Sequence, residues 1–301
     1  MLPNDLLTGL IDGLGIDVGS LAEFTIEANP EDVTDEWVSA VVAMGIGRVS
    51  MGIQSLVEAE LSAIGRRHTA GQALTAINTL MNGGIRNISC DLIYGLPGQT
   101  SETWRYSLQR LLDTGIVHLS AYMLTYEPGT RLSVQRNLGR VREAADEDIE
   151  LMYGDLVDMA ARYGFRHYEI SNFALDGYRA IHNSSYWDGT PYLGLGPSAH
   201  SFDGAVRRAN PTDIKRYVAD PGHCYDEEVP ESYSAYNDRI ITGLRTDEGI
   251  DVSGFTQSET DILEAYVRNG MMAATALRRF RITEHAWLMA DRIMSDFIRV
   301  E

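Results

Sequence analysis

Residues 181 to 201, IHNSSYWDGTPYLGLGPSAHS, gather two histidines, two tyrosines, a tryptophan and an asparagine around a run of glycines. A neutral imidazole nitrogen can ligate a metal, and the flat faces of tyrosine and tryptophan can wall a pocket for an aromatic ligand. The same residues could also be ordinary packing with a backbone-bonded loop histidine, so His182, Asn183, Tyr186 and Trp187 are candidates with two readings. His200 comes after GLGPSA, which reads as a tight buried turn, and is the weaker of the two histidines.

A second set of chemistry-bearing residues lies upstream, on short apolar runs. Glu27 and Asn29 fall in FTIEANP (24–30), Gln54 in RVSMGIQS (48–55) and Asp91 in ISCDLIYGLP (88–97). Thr125 and Glu127 fall in LSAYMLTYEP (119–128), and Glu169 and Asn172 in HYEISNFA (167–174). A carboxylate or amide on a buried strand is costly without a partner. Such residues either contact a ligand or tie strand ends together in a polar network.

The elements that must position them repeat. GIGRVS, GIRNIS, GIVHLS and GFRHYE begin at Gly45, Gly84, Gly115 and Gly164, at intervals of 39, 31 and 49 residues. Each comes after a segment with apolar residues three and four apart, which is helical spacing. Each glycine reads as the residue just past a helix end, where a left-handed backbone costs no Cβ clash. Helix, glycine, strand is the pattern of βα units and a parallel sheet, whose ligands bind beyond the carboxyl ends of the strands. Thr34 before DEWV, and Thr100 or Ser101 before ETW, read as helix N-caps. Past residue 205 the pattern changes to a helix and turn, a helix ending near Gly243, then a helix, a short β pair and a final helix. The expected organisation is an α/β domain over 1–204 and a mainly helical, winged-helix-like domain over 205–301.

The totals exclude several classes. The net charge of -18 argues against nucleic acid, the basic cluster at Arg278 to Arg281 notwithstanding, and leaves peripheral membrane contact at most. Two distant cysteines, Cys90 and Cys224, make neither a disulfide framework nor a four-thiolate zinc site, which fits a reducing cytoplasm. The amino terminus has no basic region ahead of an apolar stretch and is no secretory signal.

Taken in order, IEANP, MGIQS, GRRHT, CDLIYGLPGQT, SAYMLTYEPGT, YEISNFA, HNSSYW and YLGLGPSAHS resemble the radical S-adenosylmethionine family of oxygen-independent coproporphyrinogen III oxidases. Within it the likeness is to the oxidase-like members regarded as heme chaperones, and it runs from about residue 22 to the carboxyl end. The resemblance implies part of a (β/α)6 barrel whose first two strands are absent. It also implies S-adenosylmethionine and a [4Fe–4S] cluster. The family carries that cluster on a CxxxCxxC loop, and neither this motif nor the family's GGGTPS stretch occurs in the sequence. A cluster with one open iron needs three closely spaced thiolates, which this chain does not supply.

What carries over is residual. Glu27, Gln54, Arg66 and Asp91 match positions that contact S-adenosylmethionine, with Arg66 suited to a two-pronged bond to the ligand carboxylate. HNSSYW marks the chaperone-like members, and implies heme or another tetrapyrrole as ligand. His182 would then be the iron ligand, Asn183 the partner that orients its ring, and Tyr186 and Trp187 the walls. The expected function is heme binding or trafficking. The alternatives are a coproporphyrinogen III oxidase, if the natural chain is longer, and an inactive fragment serving as an interaction module. The IEANP strand is expected at an unprotected sheet edge, which would favour self-association through that edge.

Overall fold

The computed structural model describes residues 3–230 and 232–300. They fall into two compact units that meet in sequence between Arg179 and Ala180. The first unit runs α1 (Asn4–Leu14), β1 (Thr25–Ala28), α2 (Asp35–Ala43), β2 (Arg48–Gln54), α3 (Glu58–Ala63), α4 (Ala70–Asn82) and β3 (Asn87–Tyr94). It continues with α5 (Ser101–Leu112), β4 (His118–Met123), α6 (Arg131–Asn137), α7 (Asp146–Arg162), β5 (Arg166–Glu169) and β6 (Asn172–Ala174).

The first four strands pair in parallel in chain order, β1-β2-β3-β4, as helix–glycine–strand repeats require. All four repeat glycines take a left-handed backbone, with φ of 79°, 98°, 81° and 83° at Gly45, Gly84, Gly115 and Gly164. At three of them the next amide bonds back five residues, Ile46 to Val41, Ile85 to Leu80 and Phe165 to Ala160. That bond closes the helix and turns the chain into the strand. At the other end Thr34 and Thr100 cap α2 and α5, accepting from the amides of Trp37 and Thr103.

Side chains alternate across a strand, and here the two faces differ in kind. One face carries Val49, Met51, Ile53, Ile88, Cys90, Leu92 and Leu119, all fully buried. Helices α2, α4, α5 and α7 bring Val41, Ile77, Trp104 and Met152 to the same core. Trp104 is the largest of the fully buried side chains, and its Nε1 donates to the Met152 carbonyl at 2.7 Å, joining α5 to α7. The opposite face carries the polar residues.

The fifth expected strand differs. HYEISNFA is a hairpin, with β5 antiparallel to β6 and β6 antiparallel to β4, so the sheet reads β1-β2-β3-β4-β6-β5. The chain reverses at Ile170 and Ser171, where the Ser171 amide donates to the Glu169 carboxylate at 3.1 Å and His167 Nε2 bonds the Ile170 carbonyl at 3.1 Å. Glu169 and Asn172 therefore flank a turn and do not end a parallel strand.

The second unit contains α8 (Ile181–Ser185), β7 (His200–Phe202), β8 (Arg207–Ala209), α9 (Ile214–Ala219), β9 (Asp226–Glu227) and α10 (Ser234–Gly243). It ends with β10 (Ile250–Asp251), α11 (Gln257–Arg268), β11 (Met272–Ala276), β12 (Arg279–Ile282) and α12 (Ala290–Ser295). Two antiparallel sheets, β7-β8-β9 and β10-β12-β11, accompany the helices; the expected short β pair is β11 with β12, and β7 to β10 add to it. Strands β7 to β10 span two or three residues each, too short for periodicity to register. The division lies ahead of the boundary expected after residue 204, because residues 192 to 202 pair within the second unit. Tyr192 and Phe202 exchange backbone bonds at 2.9 Å, and the Gly196 amide donates to the Tyr217 hydroxyl at 2.9 Å. No helix among the described residues is long and apolar enough to cross a membrane.

Truncating Trp104 to alanine removes a fully buried indole together with the bond that ties α5 to α7. Urea unfolding of Trp104→Ala should show a loss of about 3–5 kcal/mol.

Candidate functional site

Register defines the polar face of the first unit. Thr25, Arg48 and Asn87 stand level across β1, β2 and β3, and Glu27, Ser50, Ser89 and His118 form the next row. Gly52, Asp91 and Ser120 form a third row toward the carboxyl ends. The rows bond among themselves. Ser50 donates to Asp91 Oδ1 at 3.4 Å, and Ser89 Oγ meets His118 Nδ1 at 2.7 Å. His118 Nε2 in turn meets the Tyr168 hydroxyl at 2.8 Å.

Burial sets the charge of this face. The Asp91 carboxyl is pushed up to about 6, first by burial; the Ser120 hydroxyl opposes the shift, and the nearby Glu27 carboxylate adds to it. His118 is pushed down to about 3 by burial and by the Arg48 guanidinium, so it is a neutral hydrogen-bonding group. Arg48 is 5% exposed and its Nε has no hydrogen-bond partner among the described residues.

Gln54 and Arg66 meet above Gly52. The Arg66 Nη2 donates to the Gly52 carbonyl at 2.7 Å and to Asn29 Oδ1 at 2.8 Å, linking the ends of β1 and β2. The ladder between β2 and β3 slips between Gly52 and Gln54, and Gln54 takes a left-handed backbone with φ 69°. A left-handed non-glycine residue stores on the order of 1–3 kcal/mol of strain, a cost that collects at ligand sites. Its side chain returns over Gly52, where a Cβ would stand 2.8 Å from Gln54 Nε2 and 3.2 Å from Arg66 Nη2. Glu27, Gln54, Arg66 and Asp91 thus collect at one end of the sheet, with Asn29, Ser50 and Ser120 as additional members. Asn29 stands among the strand-end residues of FTIEANP, and the alternation of polar residues in RVSMGIQ and HLSAYM carried a period-two signal for Ser50 and Ser120.

Among the described residues no group of three or more His, Cys, Asp or Glu side chains is arranged to hold a metal ion. Cys90 is fully buried on the helix-covered face, where burial and Asp91 push its thiol up, and Cys224 lies in the other unit. The residues present do not fit a [4Fe–4S] cluster.

In the second unit, HNSSYW forms α8 and the turn after it. Ser184 and Ser185 bond back to the carbonyls of Ala180 and His182, closing the single helical turn. The Tyr186 hydroxyl lies 2.9 Å from Nε2 of the His182 ring. Residues four apart on a helical turn face one another, which brings this hydroxyl to the ring. The rings of His182 and Tyr186 stand edge to face at 5.0 Å, and Tyr186 and Tyr192 do so at 4.7 Å. Trp187 is half-buried with the Arg245 guanidinium 4.9 Å from its ring centre. His200 is exposed on β7, and GLGPSA is no buried turn, since Leu195 is 60% exposed.

A partly open α/β sheet with strand-end polar residues of this order is the barrel of the radical SAM class, and the profile of the Radical SAM superfamily matches residues 9–111. Coproporphyrinogen III oxidase (HemN) from Escherichia coli shares the fold with a TM-score of 0.80 at 19% identity, over 98% of this chain and 74% of that one. The heme chaperone HemW of Lactococcus lactis is 34% identical over 83% of this chain and 66% of its own length. The heme chaperone HemW of Mycobacterium tuberculosis is 30% identical over 91% of this chain and 71% of its own. The chain belongs to this radical SAM, coproporphyrinogen oxidase-like family and stands close to its HemW members. It spans about two thirds of the length of the curated relatives it matches.

The two buried groups predict opposite pH effects. Asp91 protonates more readily when folded than at its ordinary 3.8, so its contribution is full below about pH 4 and lost as pH rises through about 6. His118, depressed from 6.5, contributes stability above about pH 6.5 that is lost as pH falls toward 3. Asp91→Asn removes only the first. Its urea-unfolding stability relative to the wild type should grow between pH 4 and 6 and level off at about 2–3 kcal/mol. A gap independent of pH would contradict the buried-carboxyl assignment.

Proposed function

We propose that the chain is a cytoplasmic heme-binding protein acting in heme trafficking, with His182 as the iron ligand. The observation that carries this reading is the exposed imidazole of His182 at the head of an aromatic row. Its Nε2 lies 2.9 Å from the Tyr186 hydroxyl, and in the tautomer protonated at Nδ1 that nitrogen holds a lone pair that iron takes when the hydroxyl turns away. Tyr186 and Tyr192 continue the row, and Leu193 and Leu195, 78% and 60% exposed, lie beside it in sequence. Exposed apolar surface beside a histidine suits a flat apolar ring with a metal at its centre. The HemW relatives, named as heme chaperones, support the same reading.

Glu27, Gln54, Arg66 and Asp91 belong in the same proposal as an S-adenosylmethionine pocket. Carboxylates and an amide suit ribose hydroxyls and an amino group, and Arg66 retains donors beyond the one bound to Asn29 and Gly52. S-adenosylmethionine on a reduced cluster supplies radical chemistry in this superfamily; this chain's residues contribute only the polar grip.

The reading also includes pairing with a second copy. Strand β1 lies at one edge of the sheet, with β2 on its inner side. An unpaired strand edge is a template for another strand.

Hemin titration tests the iron ligand. The wild type should give a saturable Soret shift, and His182→Ala should move the band and weaken binding about tenfold. An unchanged band and affinity in the variant would remove His182 as the ligand. Sedimentation velocity over a hundredfold concentration range should show a dimer forming; a monomer throughout would reject the edge pairing.

A further inference from the structure

Arg245 lies just past α10 and takes no part in iron ligation or in the strand-end cluster. It is half-buried, its Nε is sealed from solvent, and that Nε has no hydrogen-bond partner. No ion pair or hydrogen bond from its guanidinium forms among the described residues. Its one contact of note is the stack on Trp187 at 4.9 Å. The Trp187 Nε1, also sealed, is a second donor without an acceptor among the described residues.

Two unsatisfied donors side by side are costly, because each forfeits its hydration without a replacement bond. Other half-buried arginines of this unit end on carboxylates: Arg207 on Asp238 at 2.6 Å and Arg299 on Glu259 at 2.7 Å. The cation–π contact with the indole holds the Arg245 guanidinium in place, and its Nη atoms, which meet no partner among the described residues, can take two oxygens. The tryptophan beneath it belongs to HNSSYW, so this fork is anchored to the same short segment as His182.

We propose that Arg245, held in place by Trp187, binds a carboxylate of the ligand that His182 ligates. The proposal rests on the heme reading and deepens it, since a porphyrin of the heme type carries propionate carboxylates. The site then recognises its ligand at two points, the central metal and a peripheral acid. It discriminates against porphyrins whose acids are masked. Trp187 is a positioning residue in this arrangement and Arg245 a binding residue.

The experiment compares hemin with hemin dimethyl ester, in which both carboxylates are blocked, on the wild type, Arg245→Gln and Arg245→Lys. Metal-free protoporphyrin IX, followed by quenching of tryptophan fluorescence, isolates the carboxylate contact from iron ligation. The wild type should bind hemin about tenfold more tightly than the diester, which is about 1.4 kcal/mol. Arg245→Gln should bind both at the weaker level with the Soret position unchanged, and Arg245→Lys should recover part of the preference. Free protoporphyrin should lose affinity in Arg245→Gln by the same factor. Far-UV circular dichroism and the urea midpoint establish that the variants are folded. Equal affinity of the wild type for hemin and its diester, or a preference that survives Arg245→Gln, overturns this inference and leaves His182 standing. Failure of the wild type to bind hemin at all overturns both readings.

Discussion

The alternation of side chains along β2, β3 and β4 governs the first unit. Because successive residues point to opposite faces, Val49, Met51, Ile88, Cys90 and Leu119 form one apolar surface that the helices cover. The same alternation commits Ser50, Ser89, Asp91, His118 and Ser120 to the other face. A one-residue slip would exchange the two sets and place a carboxylate and an imidazole in the helix-covered core. The polar face therefore inherits its order from the hydrophobic packing behind it. Several of its groups bond one another, through Ser89 to His118 to Tyr168, and Asp91 and His118 shift their protonation in opposite directions.

Local backbone geometry converts this sheet into a site. The four repeat glycines supply left-handed turns that let each helix end directly against the next strand. Gln54 takes a similar backbone without being glycine, at the slip in the ladder beside Gly52. The absence of a side chain at Gly52 lets Gln54 and Arg66 close over it, with Asn29 completing the contact. The polar residues that gather there come from β1, β2, the segment before α4 and β3, so only the folded sheet assembles them.

The second unit works by another principle. Its aromatic row depends little on burial: His182 and Tyr186 are exposed and hold each other by one hydrogen bond across a helical turn. Trp187 turns inward, where Arg245 stacks on it. One short segment thus presents an exposed imidazole and a half-buried indole, on residues five apart in sequence.

Much of this was legible without coordinates. The spacing of apolar residues, the glycines after each helix and the threonine caps determined the order of βα units, since these are local effects with local signatures. The eight motifs determined the family. Tertiary structure decided the rest. HYEISNFA reads as one strand, and only its hairpin bonds at Ser171 and His167 reverse it. The boundary at Arg179 depends on bonds that residues 192–202 make within the second unit, which no local pattern encodes. The meeting of Tyr186 with His182 depends on helical phase, which, once formed, turns the fourth residue toward the ring. Arg245 carried no signal at all, because a cation's lack of a partner is a property of the space around it, and that space exists only in the folded chain.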